Sequence, residues 1–167
     1  MIKLFKLTLP LVVCFLWIGL VSGGGESELE AQMSTLKQEC KEAIKGTRYE
    51  GSKITYYTVR SSKQIKNIEV YTFLLDEYKF AISAKKCSVP LTIKIYDAAP
   101  DVKERVLIKE FKKTQGKNLK FSTSELNGLY QAKNPDADRL RNIHIEYAIS
   151  SGKVANEGIV LVYGIEP

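Results

Sequence analysis

His144 is the single histidine of the chain, and Glu146 stands two residues further on. In an extended segment that spacing puts both side chains on one face, where an imidazole could act as a base and a carboxylate could orient it. No serine in a sharp glycine-flanked turn accompanies the pair, and one histidine falls short of a zinc ligand set. A solvent-facing strand histidine is therefore the first expectation for His144. A small secreted hydrolase that uses it with nearby carboxylates is the alternative.

Oxygen ligands are the next chemistry to consider. Asn134, Asp136 and Asp138 alternate in the stretch NPDAD, as ligands do at the start of a calcium loop, but the glycine at the sharp turn and the distal glutamate are missing. Pro135 also stiffens the segment. Asp97, Asp101 and Glu104 form a second, looser acidic group. Neither pattern defines a metal site, and no cofactor is expected.

Aromatic side chains offer more. The chain has nine tyrosines, and Tyr56, Tyr57, Tyr71, Tyr78 and Tyr96 all fall in stretches that read as strands. Tyr57 and Tyr96 have the parity expected to face outward, where a ring can stack on a sugar or grip a peptide and the hydroxyl adds a polar handle. Lys109, Lys112, Lys113, Lys117 and Lys120 make a basic strip, of the kind that guards a sheet edge against strand addition.

The elements that must carry these residues are mostly strands. Residues 54–59, 65–75, 78–83, 91–96, 106–111, 119–121, 143–149 and 159–163 alternate or run apolar and are rich in β-branched and aromatic side chains. The segments YKFAIS and LTIKIY read as an adjacent antiparallel pair. Residues 130–141, polar and holding Pro135, read as an exposed excursion after a short helical turn capped near Ser122. The closing run IVLVY is apolar at both parities, the pattern of a strand covered on both faces.

Before the strands, Leu29, Met33, Leu36, Cys40 and Ile44 form one apolar stripe on a helix. Further back, Lys3 and Lys6 precede an apolar run that ends in Val21-Ser22-Gly23-Gly24-Gly25, the layout of a secretory signal peptide cleaved after Gly23. The run is too short, and too interrupted by Pro10, for a stable span. Removing Cys14 with that leader leaves Cys40 and Cys87, which an oxidising compartment would pair as a disulfide.

The expected organisation is thus a signal peptide at 1–23, a helix and connection at 24–52, and one β domain at 53–167. The fold class is mainly β, an antiparallel, jelly-roll-like sandwich of about eight strands. Setting aside Lys3 and Lys6 takes the formal charge from +6 to +4, without the clustering that a nucleic-acid partner requires.

The segments LTIKIYDAAP and RVLIKEF, with the terminal VLVYG, resemble the exported bacterial β-sandwich modules of the pre-peptidase C-terminal type. The resemblance implies a noncatalytic accessory domain on the export pathway and brings no site residues with it. Together these readings lead to an exported, secreted or periplasmic, noncatalytic module that binds a protein, glycan or envelope surface.

Overall fold

The computed structural model describes residues 24–73 and 76–167. The expected signal peptide, Leu74 and Leu75 lie outside them. The described chain runs α1(Gly24–Ala43), β1(Arg48–Thr58), β2(Gln64–Tyr71), β3(Tyr78–Ser83), β4(Leu91–Tyr96), β5(Leu107–Phe111), β6(Asn118–Ser122), α2(Thr123–Lys133), β7(Asn142–Ile149) and β8(Asn156–Ile165). The fold is mainly β, with eight antiparallel strands in two four-stranded sheets of order β1-β8-β3-β6 and β2-β7-β4-β5.

Alternation explains the two layers. Ile143, Ile145, Tyr147 and Ile149 of β7 and Leu91, Ile93 and Ile95 of β4 all turn one way. They meet Phe80, Ile82, Ile159 and Leu161 of the facing sheet in one apolar core. Aromatic rings knit it together: Phe80 stacks on Phe121 with ring centres 4.9 Å apart, and Phe121 lies 5.9 Å from Phe111 of the opposite sheet.

A second apolar layer lies on the far side of the first sheet. Met33, Leu36, Cys40 and Ile44 of α1 pack there on Ala81, Val160 and Val162. This accounts for the apolar run in β8, whose odd positions enter the inter-sheet core while its even ones meet the helix. The close approach needs Gly158, since a Cβ there would stand 2.5 Å from the Met33 sulfur.

Several expectations are corrected. Strands β3 and β4 are not paired. β3 lies between β8 and β6, and β4 between β7 and β5, because the link through Pro90 carries the chain from one sheet to the other. Alternation records which face is buried but not which strand is the neighbour. The first third of the expected excursion, residues 130–133, is helix: α2 starts under the Ser122 side chain, which accepts from the Glu125 N–H, and runs to Lys133 with Leu126 buried.

The Cys40–Cys87 disulfide is absent, and both thiols are free and buried. Cys40 belongs to the layer beneath α1, and Cys87 to the inter-sheet core with Tyr57 and Val89. The helix stripe correctly turns Cys40 toward the sheet, but the other cysteine joins a different layer. Burial pushes both thiols up to about 11.

Candidate functional site

Among the described residues, no helix covers the outer side of sheet β2-β7-β4-β5. Three strands supply it at alternating positions. β7 contributes His144, Glu146 and Ala148, β4 contributes Thr92, Lys94 and Tyr96, and β2 contributes Ile65, Asn67, Glu69 and Tyr71. Register sets His144 between Glu69 and Tyr96, and Glu146 between Asn67 and Lys94.

The β4–β5 connection folds Arg105 back over this face. Its guanidinium lies 3.8 Å from the Tyr96 ring centre, and its Nη2 donates to Glu146 Oε2 at 2.9 Å. Lys94 Nζ stands 3.5 Å from the other Glu146 oxygen. Glu146 is 5% exposed, so a buried carboxylate is held by two cations. Asp97 fastens the connection by accepting from the Val106 N–H at 2.6 Å. Arg105 Nη1 is buried without a hydrogen-bond partner among the described residues.

Replacing Arg105 with alanine removes a charge-assisted hydrogen bond and the cover of Tyr96. The expected loss is about 1.5–3 kcal/mol of unfolding free energy by urea titration. A change below about 0.5 kcal/mol, the level of an ordinary surface substitution, would show that the latch is idle.

His144 and Glu146 do share a face, but they do not pair. The imidazole Nε2 is 3.5 Å from Glu69 Oε1, and the His144 side chain is 12% exposed. Its expected solvent-facing position is therefore only partial.

Tyr96 points outward as its parity requires, yet Arg105 covers the ring and leaves the residue 9% exposed. Tyr57 is the reverse of the expectation. It faces the core at 6% exposure, and its hydroxyl donates to Glu157 Oε2 at 2.7 Å. The parity of β1 misleads because α1 gives Ile54 an apolar partner on the outer side, which leaves Tyr57 and Val59 for the inter-sheet core.

Glu157 also accepts from the Ser88 N–H at 3.1 Å and from the Ser88 hydroxyl. It thereby closes the end of the core beside Cys87. A groove of about 450 Å³ opens there, lined by Leu29, Glu30, Tyr56, Tyr57, Thr58 and Glu157 among others. Burial beside Cys87 and Glu157 pushes the Tyr57 hydroxyl above its ordinary value. Tyr147, fully buried in the core, is likewise raised, and its hydroxyl has no partner among the described residues.

Asn134 serves as the C-cap of α2, its N–H bonded to the Tyr130 carbonyl. Among the described residues no group of three or more His, Cys, Asp or Glu side chains is placed to hold a metal ion. Of the basic strip, Lys109 pairs with Glu125 and lies over the Phe111 ring, while Lys112 pairs with Glu110 at 3.2 Å. These lysines flank β5 and β6, which are edge strands of the two sheets. No helix among the described residues is long and apolar enough to cross a membrane.

Exposure gathers elsewhere. Ile65, Tyr71 and Phe73 are 59%, 71% and 70% exposed, and they share one parity on β2 and its continuation. Tyr71 donates to Glu69 Oε2 at 3.2 Å, which raises its hydroxyl and leaves the ring free. The alternation in residues 65–75 is visible in the sequence. Which of its apolar parities lies in the open is not, because that depends on the strand's place at the sheet edge.

No protein-family model matches the chain, and no curated protein matches it.

Proposed function

We propose that the protein is an exported, noncatalytic binding module that engages a partner protein through the outer face of β2. The observation that carries this reading is the row Ile65, Tyr71 and Phe73, large apolar side chains exposed on one parity of one strand. Exposed aromatic side chains in a row of this kind mark interaction surfaces more often than isolated apolar residues do. The other sheet's outer face is occupied by α1, so the two faces of the sandwich differ in what they offer.

The strand order supports the finer reading of the fold as a jelly roll, in which consecutive strands mostly alternate between the two sheets. The signal-like leader at residues 1–23 supports export to a secreted or periplasmic location. A hydrolase built on His144 gains no comparable support, since Glu146 is engaged by Arg105 and Lys94. The rings offered as ligand platforms shift accordingly from Tyr57 and Tyr96 to Tyr71 and Phe73.

A photoreactive residue placed at Tyr71 tests the reading in material from the producing cells. Conjugates to a partner protein, a second copy of the chain included, are expected at Tyr71 and not at Lys113 on the opposite flank. Excess wild-type protein should compete them away, and a folded Tyr71→Asp, Phe73→Ser variant should not. Equal labelling at the two positions, or equal competition by the variant, would refute it.

A further inference from the structure

The partner most compatible with β2 is a second copy of the same strand. This inference rests on the reading of β2 as a binding surface and names what binds there. Among the described residues, β2 is paired on one side only, to β7. The Thr72 N–H is directed to the Arg141 carbonyl on the β7 side, whereas the Phe73 N–H points the other way, reaching the Tyr78 hydroxyl at 3.4 Å. Backbone groups alternate along an antiparallel strand. The N–H and C=O groups of Ile65, Asn67, Glu69 and Tyr71 therefore face away from the sheet, as an open template.

Two of the other three edge strands, β5 and β1, are guarded. On β5, the Leu107 and Ile108 carbonyls accept from Lys133 of α2. β1 is bulged between Tyr49 and Gly51, and its Thr58 carbonyl accepts from Gln64 at 2.8 Å. β2 has a regular register with β7 and contains no proline.

We propose that β2 pairs antiparallel with the β2 of a second molecule about a two-fold axis at Ile68. A two-fold perpendicular to the sheet keeps outer face with outer face, so odd residues oppose odd residues. Centring on Ile68 sets Ile65 opposite Tyr71, and Asn67 opposite Glu69, on both halves of the seam. Apolar side chains then meet apolar ones, and an amide donor meets a carboxylate. Centring on Glu69 would oppose that carboxylate to itself. Centring on Asn67 would oppose Ile65 to Glu69 on both halves. The chemistry of the strand thus selects one register, and the result is a continuous sheet across the two copies. A seam of one strand pair is small, so the dimer is expected to be of micromolar rather than nanomolar strength.

Sedimentation equilibrium of the signal-less chain across a dilution series tests this. A reversible monomer–dimer equilibrium is expected, with amide exchange at Asn67 and Glu69 slowing as dimer accumulates. Asn67→Pro removes an outward N–H and leaves the β7 ladder intact, and it should weaken association at least tenfold. Should that variant fail to fold, Ile65→Lys, which charges an exposed side chain of the seam, should weaken association in the same way.

A chain that stays monomeric to millimolar concentration overturns the proposal, as does dimer formation that survives these variants or leaves the two amides unprotected. If the chain is monomeric while Tyr71 still yields specific conjugates to other proteins, this inference fails and the binding reading stands. If both are negative, both fail.

Discussion

Between pH 9 and pH 11 the protein is expected to lose about 4 kcal/mol of stability through its two thiols alone. Each thiol rises from an ordinary value of 9.0 to about 11 because burial disfavours the thiolate. Below pH 9 both folded and unfolded chains hold the protons, and the stabilisation is complete. As pH climbs past 9 the unfolded chain releases them while the folded one does not. Stability then falls until the folded thiols themselves ionise near 11.

Each thiol that keeps its proton across this interval contributes between about 2 and 3 kcal/mol. Cys40 is 1% exposed and Cys87 6%, so solvent does little to soften the effect. Tyr57 and Tyr147, also raised by burial, extend the decline further into alkali. Urea unfolding at a series of pH values from neutral to strongly alkaline checks this against a Cys40→Ala, Cys87→Ala variant. The variant should start lower, by a small cavity cost, and decline less steeply. Parallel profiles would show that the thiols do not carry the effect. The same burial predicts that neither thiol reacts with an alkylating agent at mildly alkaline pH in the folded protein and that both react after unfolding.

Phe80→Ala is the substitution with the largest expected single-site cost, about 3–5 kcal/mol. Phe80 is fully buried on the central strand β3 and lies against Phe121 of β6, with Tyr163 of β8 at 6.1 Å and Tyr78 at 6.3 Å. Its ring fills the layer where both neighbouring strands meet the facing sheet, and backbone paired on either side cannot collapse to fill the space. Domains of this size have about 5–15 kcal/mol in total, so the change approaches the limit of folding. Guanidinium titration should show a lower midpoint with little change in slope. Phe80→Leu should recover more than half of the loss, and an alanine variant within about 1 kcal/mol of wild type would contradict the packing described.

What the sequence revealed and what it concealed divide along a physical line. The inward set Ile143, Ile145, Tyr147 and Ile149 is legible because period-two alternation reports directly on a half-buried strand. The doubly covered run of β8 is legible because it is apolar at both parities. Pairing is not: YKFAIS and LTIKIY look like neighbours but stand in different sheets, since nothing in their alternation encodes the partner.

Tyr57 shows the second limit. Its strand is apolar at both parities, and only the seating of α1 decides which parity is core. Cys40 and Cys87 show the third, because membership of a layer is a tertiary property that spacing does not carry. α2 was concealed by Asn127-Gly128, which reads as a turn, although Ser122 three residues before Glu125 carries the capping signal.

The candidate surface is split in the same way. The shared parity of Ile65, Tyr71 and Phe73 is written in the chain, while their exposure comes from the edge position of β2. The cover that Arg105 draws over Tyr96 is set by the fold of the β4–β5 connection and has no local signature.

The two margins of the second sheet are unequal, and Lys133 makes them so. With its ammonium group on the Leu107 and Ile108 carbonyls, that margin cannot nucleate further addition. A second copy joining at the far margin would join once, because it brings its own stoppered end. Pairing through β2 would thus end at two copies in this sheet and would not propagate into a fibril.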